Sequence, residues 1–317
     1  MRSATTAPPL RSYLLAALGL GVLVTWASEN LFWSSISADP AVVAGQFAVA
    51  LAAYAVAAAA ALTLLVRSGA QGWAAAFLGG AMLGWAVEGV VVGTMYDAFP
   101  WQVVWTPLAW HALVSGLVVV GLARSAASRS APRQALYWLL LGIGVGAWAL
   151  YWPGERAVSA AGATVTLLLP ALALPVANVA LERVGLLPRD RLPWWMWVAP
   201  ALLALGWVVR LVASGFTPPL LAWPVAVGAA YAVARRQGDP ATPGLLLGEP
   251  APLRRHLLAL LAPATAATVA GLGWSVGLAV PTGPAVYVGT SLASLALLAR
   301  LVVRPRRAGE PALTEGR

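Results

Sequence analysis

Cysteine and lysine are absent from this 317-residue chain, histidine occurs twice, and aspartate and glutamate together number 11. Without cysteine there is no disulfide, thiol nucleophile, c-type haem attachment or iron–sulfur ligand. Without lysine there is no Schiff base for retinal or pyridoxal phosphate. Two histidines cannot by themselves build a three-histidine metal centre, although mixed His/carboxylate sites remain open; no cofactor and no metal is expected. Charge of either sign is scarce: 10% of residues, against about a quarter in a soluble domain. No Walker phosphate loop, HExxH helix or CxxC pair occurs.

What the chain has instead is apolar length. It is 60% hydrophobic with mean hydropathy +0.79, and no polar tract could form a second, water-soluble domain. A spanning helix needs about 20 mostly apolar residues. Runs of that kind lie near 12–33, 41–66, 73–96, 101–123, 134–152, 158–181, 194–214, 217–235, 256–280 and 284–303. The expectation is an all-α integral membrane protein, a polytopic bundle of about ten transmembrane helices forming one domain over 1–303. The first run continues through Leu31, Phe32 and Trp33, as an uncleaved helix does and a signal peptide does not. The polar end RPRRAGEPALTEGR, 304–317, is expected to be a disordered cytoplasmic tail, and the Pro/Gly-rich loop 235–255 a cytoplasmic linker.

All 20 basic residues are arginine, giving a net charge of +9. They precede the first run and follow every even-numbered one, whereas the odd-to-even connections hold Asp39, Asp97, a Glu155–Arg156 pair or no charge. Under the positive-inside rule both termini then lie in the cytoplasm of a multi-pass protein of the cell membrane. Arginines spread along the chain in this way mark topology and contacts with anionic lipid. A nucleic-acid surface would gather them on one face between aromatics, so no nucleic acid is expected. The partners implied are membrane lipids and a small apolar or lipid-like ligand, with oligomeric state not encoded.

A weak repeat runs through the odd-numbered runs. VTWASE, LGWAVE, GAWALY, LGWVVR and LGWSVG place Trp26, Trp85, Trp148, Trp207 and Trp274 at intervals of about 60 residues, consistent with five repeated helical hairpins. The alternative is an interfacial tryptophan belt. Three residues past each tryptophan, on roughly its own helix face, stand Glu29, Glu88, Tyr151, Arg210 and Gly277.

Glu88 and His111 are the ionisable groups hardest to place in hydrocarbon, where such a group costs about 2.5–3.5 kcal/mol. With a turn near Phe99 both lie roughly 16–18 Å from it along neighbouring antiparallel helices, level in depth and within reach of each other. The glycines of EGVVVG, after Glu88, would allow a close helix approach, and Pro107 would loosen the helix beside His111. Glu88 and His111 are therefore the candidate catalytic acid and base, facing the extracytoplasmic side; the alternative is a structural hydrogen bond locking two helices. Glu29, Tyr96, Asp97, Trp85, Trp105, Trp110, Tyr151 and Arg210 are the candidate substrate-binding residues, the aromatics suiting a ring-lined cavity for an apolar or cationic ligand. His256 reads as interfacial and Asn178 as packing glue between helices.

Two family resemblances follow. Ten helices with both ends inside resemble the drug/metabolite transporter superfamily, which implies a carrier built from two related halves, although the second half offers only Arg210 and Asn178 as interior polar groups. Glu88, Tyr96, Pro100 and Pro107–Leu108–Ala109–Trp110 are similar to a stretch of the membrane carotenoid-synthesis hydratases. The glycines after Glu88 fall at different offsets there, and that family's Gly-rich loop is missing. The readings carried forward are an enzyme modifying a lipid or isoprenoid by acid–base chemistry, a proton-coupled secondary transporter, and a non-catalytic membrane subunit.

Overall fold

The computed structural model describes residues 8–189 and 192–304; the expected tail disorder lies, from residue 305 on, outside the described residues. The chain is an all-α polytopic bundle. Its helices are α1 (Leu10–Asn30), α2 (Pro40–Ser68), α3 (Gly72–Val92), α4 (Trp101–Ala127), α5 (Ala131–Gly154), α6 (Ala160–Val184), α7 (Trp194–Ser214), α8 (Ala222–Gln237), α9 (Leu253–Ser275) and α10 (Thr282–Val303). Among the described residues, all but α8 are long and apolar enough to cross a membrane. α8 is entered through the prolines Pro218 and Pro219, contains Pro224, and ends on Arg235 and Arg236.

Local chemistry sets the helix ends. Asp39 caps α2, its carboxylate accepting from the Ala41 amide at 2.8 Å, with Pro40 pre-set for the first turn. Ser130 and Ser159 cap α5 and α6 in the same way. α2 closes on Gly69 at φ 77°, a left-handed position that glycine occupies without strain.

The helices are not equivalent. The apolar stretch of α3 is 72% buried and those of α1 and α4 61%, against 11% for α7 and α10. The core therefore sits in the first four helices and α6, with the late helices presenting most of their surface outward. Of the recurring tryptophans, Trp26, Trp85 and Trp148 are buried in the bundle, and Trp207 and Trp274 are partly buried. Four of the five indole N–H groups reach a backbone carbonyl elsewhere: Trp26 to Leu167, Trp85 to Val103, Trp207 to Leu220 and Trp274 to Ala149, at 2.9–3.1 Å. Each such bond ties a helix end to a neighbouring segment, and inside an apolar core a satisfied indole N–H is strongly preferred.

The loop 235–255 is more than a linker. Its strand β2 (Gly244–Leu246) pairs antiparallel with β1 (Leu186–Pro188) from the α6–α7 connection. Leu245 and Leu247 are buried beneath it, and Gln71 donates to the Gly244 carbonyl at 2.7 Å. The arginine-rich end of the bundle is thus strapped together.

α3 and α4 make the closest helix pair, and the glycines responsible precede Glu88 rather than follow it. A Cβ on Gly80 would meet the His111 carbonyl at 2.5 Å, one on Gly84 the Pro107 backbone at 2.9 Å, and one on Gly116 the Ala76 carbonyl at 2.5 Å. The EGVVVG glycines serve elsewhere: Gly89 faces Met95 and Trp223, and Gly93, at φ 94°, turns the chain beneath Arg210.

Two expected outcomes follow. Gly84→Ala should destabilise the bundle by about 1–3 kcal/mol through forced overpacking, whereas Gly144→Ala, with nothing within 4 Å, should be neutral; thermal unfolding in detergent compares them. Because the chain lacks cysteine, Asp97→Cys and Ala241→Cys report topology cleanly. An impermeant maleimide on intact cells should label the first and spare the second, and the reverse result would invert the orientation.

Candidate functional site

Helix winding changes where the chemistry lies. The end of α1 (Trp26–Asn30), the end of α3 (Val87–Val92) and most of α4 (Trp105–Ala123) are π-wound. Wide-turn bonds close these segments, including Leu31 N–H to the Trp26 carbonyl, Gly93 N–H to Glu88 and Arg124 N–H to Val119. π turns are uncommon and concentrate at functional sites. Here the three carry Ser28 and Glu29, Glu88, and His111 and Ser115 respectively.

Glu88 and His111 meet across the α3–α4 seam, His111 Nε2 lying 3.1 Å from Glu88 Oε1. Glu88's other oxygen accepts from the Thr94 hydroxyl, brought back by the turn at Gly93. The opposite nitrogen, His111 Nδ1, is 2.9 Å from Ser28 Oγ of α1, and Ser28 Oγ is 2.8 Å from Ser115 Oγ of α4. α2 supplies Tyr54, whose hydroxyl donates to Glu29 Oε1 at 2.7 Å and whose ring lies 5.8 Å from the His111 ring. Ser28, His111, Ser115 and Tyr54 are buried; Glu88 keeps 12% exposure and Glu29 is half-buried.

Donor counting orders this chain. With Glu88 ionised and His111 neutral, the carboxylate only accepts, so Thr94 and His111 Nε2–H donate hydrogen bonds to it. Nδ1 then carries a lone pair and Ser28 donates to it. Having spent its one proton, Ser28 accepts from Ser115. The relay runs Ser115, Ser28, His111, Glu88, with a base poised on a hydroxyl and a carboxylate behind it.

The site is shallower than equal spacing about Phe99 suggests. α3 stops at Val92, so Glu88 is only about 6 Å inside its end. The chain then crosses in short 3-10 turns, Thr94–Tyr96 and Trp101–Val103.

Of the other sequence candidates, Glu29 joins the site through Tyr54. Trp110 is its roof, donating to the Ala27 carbonyl at 2.9 Å and stacking with Phe32 and Trp148. Trp105 packs on Phe32 and Tyr287, and Trp85 anchors the turn at Val103. Trp105, Trp110, Phe32, Trp148 and Tyr287 pack ring against ring along this side of the site. Arg210 sits over Gly93 and donates to the Val90 carbonyl at 3.3 Å, a cation at the C-terminal end of α3. Tyr96 is half-buried beside it; burial pushes its pKa up while the Arg210 guanidinium pulls the other way. Asp97 is exposed in the turn. Tyr151 lies apart, donating to Glu155 at 2.8 Å. Among the described residues no three His, Asp or Glu side chains gather to hold a metal ion.

Ser28, Tyr54, Thr94 and Ser115 escape a sequence reading built on charge. Ser115 was detectable, four residues after His111 and so on its face; Tyr54 is the lone phenol in an alanine-rich helix. The reading also misplaces His256. It is fully buried at the arginine-rich end, 3.1 Å from Glu182, which also accepts from the Ala251 amide. Arg124 is buried there too, flanking Gly248 opposite Glu182.

Selectively 15N-labelled histidine, read in a His256→Gln background, should show the His111 tautomer with its proton on Nε2 and Nδ1 bare. An Nδ1–H or doubly protonated ring would reverse the relay and remove the base. Set against known protein families, characterised proteins and solved structures, the chain matches none.

Proposed function

We propose that this protein is a membrane-embedded enzyme that modifies a lipid or isoprenoid by acid–base chemistry, with His111 as the proton-transferring base and Glu88 as its partner. The observation that carries the reading is the buried Ser28–His111–Glu88 relay, in which each ring nitrogen of one histidine has its own partner. A purely structural bond between two helices needs neither the second nitrogen's hydroxyl nor three π-wound segments. Glu88 lies within α3, a helix long and apolar enough to cross a membrane, which supports a substrate that arrives from the bilayer. Glu29, half-buried, lies at its rim with the buried Tyr54 behind it, and Arg210 and Tyr96 hold the turn beside it.

One observation favours a second reading, a proton-coupled secondary transporter. The Glu182–His256 pair gives the bundle a buried His–carboxylate contact at its other end as well, and carriers bring proton-binding groups to both sides.

Mass spectrometry of membrane lipids and isoprenoids decides between them. Cells with the native protein, with none, and with Glu88→Gln should differ in one species, the variant matching the deletion after a rate loss of about 10²–10⁴-fold. A fully active Glu88→Gln variant ends the acid–base reading. Unaltered lipids with altered solute uptake would move the assignment to the carrier.

A further inference from the structure

From the geometry of Ser28 we infer the reaction: acyl transfer from a lipid ester, with Ser28 as the nucleophile. This rests on the acid–base reading of the same site and adds to it a substrate class and a covalent intermediate.

The argument starts from the hydrogen bonds. A nucleophile–base–orienter set is recognised by geometry and roles, not by sequence position. Ser28 Oγ lies 2.9 Å from His111 Nδ1, and Glu88 lies 3.1 Å from His111 Nε2. The nitrogens are used in the opposite sense to a serine protease, which changes nothing in the proton bookkeeping. Two hydroxyls complete the arrangement. With the Ser28 proton directed at His111, Ser115, 2.8 Å away, is left to donate to the Ser28 oxygen, which stabilises negative charge as it develops there. Thr25, three residues before Ser28 on α1, is wholly buried with its hydroxyl unpartnered among the described residues. An unpaired buried hydroxyl is costly, which makes Thr25 the candidate oxyanion donor of the proposed site.

Depth selects the ester. α3 (Gly72–Val92) is about 31 Å long at 1.5 Å per residue, matching a hydrocarbon core of about 30 Å. Glu88 is about 6 Å inside its end, close beneath the headgroup boundary, where a glycerolipid carries its ester carbonyls.

The chemistry balances without an oxidant or metal. Ser28 Oγ attacks the ester carbonyl carbon while its proton passes to His111 Nδ1, and Glu88 holds the imidazolium. The bond to the alcohol breaks, the alcohol leaves with the His111 proton, and the acyl group stays on Ser28. A water or a second lipid hydroxyl, deprotonated by His111, then attacks acyl-Ser28. The serine oxygen departs and recovers the proton.

The G-x-S-x-G letters of a hydrolase elbow also occur, at Gly273–Gly277. Ser275 there is exposed, ends α9, and donates to the Leu272 carbonyl with no histidine beside it. It is not the nucleophile.

Native protein in phospholipid vesicles, treated with a long-chain alkyl fluorophosphonate, should gain one phosphonyl group on the peptide containing Ser28. Ser28→Ala should gain none, and His111→Gln should lose at least about 100-fold in labelling rate. Ser28→Cys should trap an acyl chain from the vesicles as a hydroxylamine-sensitive thioester, a signal no structural serine yields. In cells, Ser28→Ala should reproduce the lipid profile of Glu88→Gln. If Ser28→Ala keeps the native profile while Glu88→Gln does not, the nucleophile is wrong and the acid–base reading stands. If neither variant changes the lipids, both fail. Labelling of Ser28 that persists undiminished in His111→Gln would also overturn the assignment, because the serine would then not be activated by the relay.

Discussion

Everything at the site depends on how closely α3 and α4 approach. Gly80 and Gly84 on one helix and Gly116 on the other leave the backbones in contact, with no side chain between them. In a bilayer there is no hydrophobic drive to press two helices together, so small residues that permit dispersion contact set the geometry. That contact puts His111 within hydrogen-bonding distance of Glu88. Neither group would be tolerable in hydrocarbon without the other, and the pair would not exist if any of these three glycines carried a bulky side chain.

The π-wound segments belong to the same account. A wider turn rotates side chains relative to an α-helix and shifts the register of everything beyond it. Ser28 and Glu29 on α1, Glu88 on α3, and His111 and Ser115 on α4 all lie within such turns. The wall around them is aromatic and packed, Phe32 meeting Trp105, Trp110 and Trp148. Polar order at the centre and ring packing at the edge give the relay a fixed geometry.

Much of this was legible in the sequence, and the reasons for the misses are physical. Hydropathy fixes spanning helices because the bilayer imposes one length on all of them, so ten helix positions could be read from apolar runs. Glu88 and His111 could be read because charge in an apolar run is costly. Hydroxyls carry no such penalty signal: Ser28, Thr94, Ser115 and Tyr54 fit any helix, and only the folded chain brings them to one point. The choice among glycines could not be read either. EGVVVG and the Gly79–Gly80 and Gly84 series look alike as letters, and which face meets α4 depends on a π turn that no periodicity announces. The tryptophan repeat was visible, but its purpose was not, since an indole N–H bonded to a distant carbonyl and one at a membrane surface have the same sequence. His256 was misjudged because its partner, Glu182, is brought to it by tertiary packing.

The order of the relay along the chain has a consequence for how the protein is made. Ser28, Glu29, Tyr54, Glu88, Thr94, His111 and Ser115 all precede α5. Domains emerge and organise from the N-terminus during synthesis, so the four helices bearing the site are made before more than half of the chain has been translated. The polar groups can satisfy one another as soon as α4 is inserted. The six later helices then wrap a centre already neutralised, with α6 closing over α1 and the β1–β2 strap added when α8 and α9 arrive.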